Sequence, residues 1–266
     1  MSFRPKKRLG QHFLIDQNVI RKIVDAVAAP SEARVVEIGP GMGALTGLLL
    51  ERHPNLTVVE VDEDAVVHLR ERFPDLDIRY EDVIGIDWST FAGDPSGRPY
   101  APDAGCHVVG NLPYYITSPI LFGLLDARQH LRRAVLMMQK EVAERIVAEP
   151  GSKAYGILSV QTQLLARPRM LFSVSRHVFR PKPNVESAVI SLDFDTAGEL
   201  GFDVIQMRRI VRTAFGQRRK MLRKSLAGLC VELNTSIPDE FATRRPEALS
   251  PEEFVKLTNM LFKVDL

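Results

Sequence analysis

From residue 17 to about residue 195, short β-rich apolar runs alternate with segments of helical periodicity. Neighbouring parallel strands need a long crossover between them, so this alternation restricts the fold to a mostly parallel sheet covered by helices. The runs that read as strands are Arg34 to Ile38, Leu56 to Val61, Asp77 to Glu81, Cys106 to Gly110, Arg133 to Met138, Met170 to Ser175 and Ser187 to Phe194. Helical spacing covers 17–28, 43–52, 63–72, 117–127, 140–148 and 155–166. The stretch 91–105, rich in Gly, Pro and Asp, reads as a loop. Residues 195–200 read as a linker, and only helical patterns follow, at about 203–215, 218–230, 238–243 and 251–263. The expected organisation is an α/β domain over 1–197, opened by a basic arm at 1–15, and a small all-helical domain over 198–266.

Composition removes several classes of protein. A hydrophobic share of 45% over 266 residues is enough to bury a core, which excludes disorder by composition. No apolar run approaches the roughly 18 residues of a membrane helix, and the opening MSFRPKKRLGQHFL has no hydrophobic stretch for a signal peptide. The expected location is the cytoplasm. Cys106 and Cys230 make no disulfide framework and read as buried core residues, and the six histidines lack metal-ligand spacing, so no metal is expected.

The net charge of +2 conceals a segregation. Stretches 1–15, 150–185 and 204–231 hold eighteen basic residues and no acid, which leaves the remainder with 17 basic against 33 acidic residues. Such a separation is expected if a few surfaces meet a polyanion. In the last stretch, helical spacing puts Arg219, Lys220, Arg223 and Lys224 on one arc, opposite Leu222, Leu226 and Leu229. Arg208, Arg209 and Arg212 share one side of the preceding helix, opposite Ile210, Val211, Ala214 and Phe215.

Two motifs carry chemistry. Glu37-Ile38-Gly39-Pro40-Gly41-Met42-Gly43 follows the first strand and opens a helix, where glycines let a backbone approach a ligand. Gly39, Gly41 and Ala44 also satisfy a permissive dinucleotide fingerprint, and Glu60 suits a ribose-hydroxyl acceptor for either ligand. Glu37 on the strand before the turn, and Asp82 placed to accept from an adenine amino group, favour S-adenosylmethionine, which has no pyrophosphate. The second motif, Asn111-Leu112-Pro113-Tyr114, directly follows the strand CHVVG. The exocyclic amine of a base is a poor nucleophile because its lone pair is conjugated with the ring. Two fixed acceptors, the Asn111 side-chain oxygen and the Leu112 carbonyl, can each hold one N–H and turn the lone pair toward a methyl donor. Pro113 biases Leu112 toward extended backbone, and Tyr114 offers a stacking ring. Further on, Phe179-Arg180-Pro181-Lys182-Pro183-Asn184-Val185 sets an aromatic ring before a stiff basic loop, and Phe179 is a candidate cover for the second face of the base.

The segments GQHFLID (10–16), VVEIGPGMGALT (35–46), VVEVDED (58–64), GNLPYYITSPI (110–120), MMQKEVAERIVAEPGSKAYGILSV (137–160), FRPKPNVESAV (179–189) and FGQRRKMLRKSL (215–226) together resemble the KsgA-type ribosomal RNA adenine dimethyltransferases almost end to end. The resemblance implies a class I, Rossmann-like S-adenosylmethionine-dependent methyltransferase domain with a seventh antiparallel strand, followed by a small all-helical domain. It implies transfer of two methyl groups to N6 of each of two adjacent adenosines in the 3′-terminal hairpin loop of small-subunit rRNA, within an immature small subunit. Carried over by position, it places cofactor contacts at His12, Leu14, Gly39, Glu60, Asp82 and Asn111, beside Gly41 of the glycine turn. Asn111, Leu112, Tyr114 and Phe179 surround the target base. Position 12 is His where several relatives have Asn. Two other readings share these motifs: a large-subunit rRNA adenine methyltransferase of the antibiotic-resistance type, and a mainly non-enzymatic rRNA-binding assembly factor. The QRRKMLRKSL and MMQKEVAERI segments look less like the former, and the intact Asn111 to Tyr114 motif speaks against the latter.

Overall fold

The computed structural model describes residue 6 and residues 10–91, 105–194 and 200–262. The expected loop at 91–105 and linker at 195–200, with Arg4, Lys7 and Arg8 of the basic arm, fall wholly or mostly outside the described residues. The strands are β1 (Phe13–Leu14), β2 (Val35–Ile38), β3 (Leu56–Glu60), β4 (Asp77–Tyr80), β5 (Cys106–Asn111), β6 (Leu131–Gln139), β7 (Arg167–Val174), β8 (Phe179–Arg180) and β9 (Ser187–Asp193). The helices are α1 (Gln17–Val27), α2 (Thr46–Arg52), α3 (Glu63–Arg72), α4 (Thr117–Asp126), α5 (Lys140–Ile146), α6 (Ile157–Leu165), α7 (Val204–Gly216), α8 (Leu222–Ser225), α9 (Ala227–Glu232), α10 (Asp239–Ala242) and α11 (Pro251–Phe262).

Seven strands make one sheet in the order β4-β3-β2-β5-β6-β9-β7. β4, β3, β2, β5 and β6 run parallel, and β9 is antiparallel to both of its neighbours. β2 and β3 are buried along their whole length, and β5 is buried up to Asn111, as strands covered on both faces must be. The order reverses between β2 and β5, so their carboxyl ends open a crevice of the kind in which doubly wound sheets hold ligands. α1 shows how the cover is made. Asp16 caps it by accepting from the Asn18 and Val19 amides at 2.8 and 3.0 Å, and Ile20, Ile23, Val24 and Val27 form its buried stripe. Both cysteines are buried.

A two-stranded antiparallel ribbon pairs Phe13 with Arg180 and Leu14 with Phe179. Two residues per strand carry no readable periodicity, so neither strand is legible in the sequence.

The chain forms two compact units, Met1–Ala143 with Ala166–Thr196, and Glu144–Leu165 with Ala197–Leu266. The helical unit thus includes α6, which reads in sequence as one more crossover helix and which packs on α7 and α11. Tyr155, just before α6, donates its hydroxyl to the Leu249 carbonyl at 2.9 Å. The single helix expected over 218–230 is absent. α7 ends at Gly216, a turn occupies 217–220, Met221 is extended, and α8 and α9 follow with a break at Leu226. Residues 218–221 bring no side chain to the core, and the Leu222 amide is held by the Arg244 carbonyl, from a distant part of the chain, at 2.8 Å. Arg219 and Lys220 therefore lie on a turn and not on the helical arc with Arg223 and Lys224.

Candidate active site

The crevice between β2 and β5 opens into a cavity with about 100 Å³ of space for solvent. Its wall contains His12, Leu14, Gly39, Gly41, Glu60, Asp82, Asn111, Leu112 and Tyr114, so residues spread over a hundred positions converge on one space. Phe179 is the exception. Its side chain is 2% exposed, sits in the hydrophobic core beneath the ribbon and does not line the cavity.

The glycine turn has the backbone its residues permit. Gly39 and Gly41 adopt φ of +63° and +54°, in the left-handed region that a side chain makes costly. A Cβ on Gly41 would lie 2.9 Å from the Phe13 ring, whereas one on Gly39 would meet nothing within 4 Å. The first glycine needed for packing is thus Gly41, and Gly39 leaves its space to the cavity. Gly110 at the end of β5 was not singled out by the motifs, yet a Cβ there would stand 2.9 Å from the Ile38 carbonyl oxygen. It sets how closely β5 approaches β2.

Glu60 accepts the Gly41 amide at 3.0 Å on one oxygen and the Val61 and Asp62 amides, both at 2.9 Å, on the other. Burial pushes its carboxyl up from the ordinary value against these three donors. A carboxylate has about four acceptor positions, so one remains for a hydroxyl. Behind it Glu37 is fully buried, accepts the Thr46 hydroxyl at 2.6 Å and is pushed up to about 8, chiefly by burial. Asp82 is exposed at the far wall and accepts the Ile84 amide at 2.9 Å.

Asn111 donates its side-chain amide to the His12 carbonyl at 3.0 Å, which turns its oxygen away from that contact; the oxygen has no partner among the described residues. The Leu112 amide donates to the Met137 carbonyl at 2.9 Å, which anchors the amide side of the residue whose carbonyl is the second acceptor. The Thr117 hydroxyl donates to the Pro113 carbonyl at 3.1 Å. Tyr114 shares a 2.8 Å hydrogen bond with Ser187, stacks on the His12 ring at 5.6 Å, and has its phenol pushed up by burial. His12 in turn places Nδ1 2.7 Å from the Pro181 carbonyl, so Nδ1 carries the proton and Nε2 is the free ring atom.

Sequence reasoning missed the fastening of the arm. Lys6 lies 2.5 Å from both Asp62 and Asp64, and Gln11 donates to Asp62 at 2.7 Å, so the segment entering the cavity is tied to the N-terminus of α3. The acids following Glu60 were the available signal, but nothing in sequence pairs them with Lys6.

In the helical unit Arg219, Lys220, Arg223 and Lys224 are exposed while Leu222, Leu226 and Leu229 are buried. These four cations have no carboxylate partner among the described residues. Arg209 pairs with Glu232, Arg212 is exposed, and Arg208 is half-buried. Arg218 donates to the Ser152 and Lys153 carbonyls at 3.1 and 2.9 Å, which fixes the start of the basic turn.

A family model described as ribosomal RNA adenine dimethylase matches residues 2–261. The chain is 53% identical to a ribosomal RNA small subunit methyltransferase A of Salinibacter ruber, over 97% of this chain and 86% of that one. It is 45% identical to the protein of the same name from Chlorobium chlorochromatii, over 96% and 93%. Among solved structures it is similar to a dimethyladenosine transferase from Plasmodium falciparum, with 24% identity, a TM-score of 0.76 and coverage of 92% and 96%. It is also similar to the 23S rRNA methyltransferase ErmE, with 22% identity, a TM-score of 0.67 and coverage of 94% and 99%. These structural likenesses bear on the fold, which is that of a class I, Rossmann-like methyltransferase.

Proposed function

The chain belongs to the ribosomal RNA adenine dimethylase family, and from that premise we propose that it dimethylates N6 of two adjacent adenosines in the 3′-terminal hairpin loop of small-subunit rRNA, within an immature small subunit. It is an S-adenosylmethionine-dependent rRNA adenine dimethyltransferase. Among the described residues no helix is long and apolar enough to cross a membrane, and we place the reaction in the cytoplasm, where ribosomes assemble.

The observation that carries the mechanism is the fixed orientation of Asn111. Its oxygen and the carbonyl of Leu112, a residue anchored through its own amide on Met137, form the pair of acceptors that the amine of adenine needs. Each takes one N–H, which withdraws the nitrogen lone pair from the ring and directs it out of the base plane. Tyr114, fixed by Ser187 and His12, supplies a face for the base. Glu60 and Asp82 hold ribose and adenine of the cofactor, while Gly39, Gly41, Leu14 and His12 shape the space around it. When bound, the cofactor supplies an electrophilic methyl group on sulfur. No strong base is required of the chain, because the methylated amine is cationic and loses its proton readily. Phe179 covers the second face of the base only if the ribbon moves, since it is buried. The exposed cations of the helical unit, Arg212, Arg219, Lys220, Arg223 and Lys224, hold RNA phosphates, with Arg208 and Arg209 contributing less because of their burial and pairing.

Small-subunit relatives at 45–53% identity favour this target over large-subunit rRNA. Labelled cofactor offered to unmethylated small subunits and to large subunits, followed by nucleoside analysis, tests it. Dimethyladenosine in small-subunit rRNA alone is expected, and label confined to large subunits would overturn the reading.

A further inference from the structure

On the other side of the β1–β8 ribbon from the cavity runs a second, wider groove. Phe13, Leu14 and Ala44 line both spaces, so the ribbon and the turn before α2 are a shared partition. The groove carries three arginines, Arg21 from α1, Arg72 from α3 and Arg180 from β8, against one acid, Glu51. All three arginines are exposed.

Their partners distinguish them from other arginines of the same unit. Arg52, Arg133 and Arg176 each pair with a carboxylate. Among the described residues Arg21, Arg72 and Arg180 pair with none, Glu51 included. Two of them are nevertheless held in place. Arg21 donates to the Gln17 carbonyl at 3.2 Å and to the Asn18 side chain at 3.3 Å. Arg72 donates to the Met42 carbonyl at 3.1 Å and lies over the Phe73 ring at 5.0 Å. A guanidinium has five N–H donors in a planar fork, so each keeps donors for an anion, and holding the fork beforehand lowers the entropy cost of binding one. The same groove is also lined by Ile15, exposed at 46%, and by Met42 and Leu48, which give it apolar surface.

Unpaired guanidiniums, two of them held in place, beside apolar surface match single-stranded nucleic acid, whose phosphates take the charge and whose unpaired bases cover the apolar side chains. The groove also touches the reacting centre through covalent and hydrogen-bonded neighbours. Arg180 is the register partner of Phe13, and Pro181 holds His12, whose carbonyl orients Asn111. We propose that this groove is a binding track for the unpaired RNA strand flanking the target adenosine, with Arg21, Arg72 and Arg180 on its phosphates. The proposal rests on the rRNA substrate argued above, and it assigns a second phosphate-binding surface, carried by the sheet-bearing unit itself.

The test is steady-state methyl transfer to unmethylated small subunits at several salt concentrations, with cofactor affinity and melting temperature measured alongside. Transfer by the unaltered enzyme tests the functional reading by itself, and the groove is tested by differences between variants. Changing Arg21, Arg72 and Arg180 together to Gln should raise KM for subunits at least tenfold, with kcat and cofactor affinity within about twofold. The slope of log KM against log salt should become shallower by about 2, from about 0.7 counterions per neutralised single-strand phosphate. The matching Lys variants keep the charge and should recover most of the slope. Glu51→Gln, which removes the one like charge facing the phosphates, should lower KM about twofold to threefold. An unchanged KM and slope in the Gln triple, or a Glu51→Gln variant that binds subunits no better, would overturn the proposal. So would a loss confined to kcat, cofactor affinity and melting temperature, because that pattern belongs to arginines that only support the fold.

Discussion

Around the cavity, Glu60 accepts three backbone amides, Asn111 donates to the His12 carbonyl, and Tyr114 is bound to Ser187. On the helical unit, Arg219, Lys220, Arg223 and Lys224 stand exposed without a carboxylate partner among the described residues. The first region spends its hydrogen bonds on internal order, so that few atoms are left to the ligand and those few point in fixed directions. The second keeps its donors for a partner outside the chain. Chemistry on one nitrogen atom needs the former, because transition-state stabilisation depends on angles and on groups that do not reorganise. Holding a long polyanion needs the latter, because phosphate attraction is additive and tolerant of geometry.

The largest effect should come from the cavity. Asn111→Ala is expected to keep its fold and its affinity for RNA while losing methyl transfer by about 10² to 10³, the usual loss for one oriented transition-state partner. Single-turnover transfer with both substrates saturating reads this directly, and a near-normal rate would erase the contrast between the two regions.

Next comes the helical unit. Changing Arg219, Lys220, Arg223 and Lys224 together to Gln should leave melting temperature and cofactor affinity alone. It should weaken subunit binding and flatten the slope of log K against log salt by about 3. Binding titrations across salt concentrations would show it. A lower melting temperature with an unaltered slope would mean that this region, too, is committed to internal order.

A smaller effect is expected at Glu60, whose carboxylate has one acceptor position left after the three amides. Glu60→Ala should weaken cofactor binding about tenfold or more, since a hydrogen bond to a charged group is worth about 1.5–3 kcal/mol. Calorimetry decides, and it should detect no binding of NAD.

The smallest effect sharpens the comparison through pH. Glu37, pushed up to about 8 by burial, keeps its proton where the unfolded chain, with the ordinary value of 4.5, has lost it. The stability that goes with the neutral group is therefore complete below about pH 4.5 and declines as pH rises toward 8. Glu37→Gln mimics the protonated form and should melt higher than the unaltered chain by a margin that grows from pH 5 to pH 8. A margin independent of pH would show that Glu37 is not held neutral.

Much of the fold was open to reading because it follows local rules. All seven strands of the main sheet lie within three residues of the runs that mark them; for the central ones, such as β2 and β3, the reason is that a strand buried on both faces must be apolar throughout. The glycine turn and the Asn-Leu-Pro-Tyr motif were legible for a similar reason: their function depends on backbone freedom and on residue types that the sequence states outright. His12, Glu60, Asp82 and Asn111 were named from sequence and resemblance, and the fold puts all of them around one cavity.

Tertiary structure decided what depends on distant pairing. Periodicity gave 218–230 one helix, but Leu222 is captured by Arg244, and the chain turns to meet it. The excursion at 144–165 looks like any crossover helix until α6 finds α7 and α11. The ribbon of Phe13–Leu14 with Phe179–Arg180 joins residues more than 160 positions apart, and it buries the ring expected to face the base. Lys6 on Asp62, Pro181 on His12 and the His12 carbonyl on Asn111 are of the same kind. Sequence alone sets propensity and pattern over a few residues. Which backbone carbonyl receives a given amide depends on how whole layers stack, and no local signal carries that information.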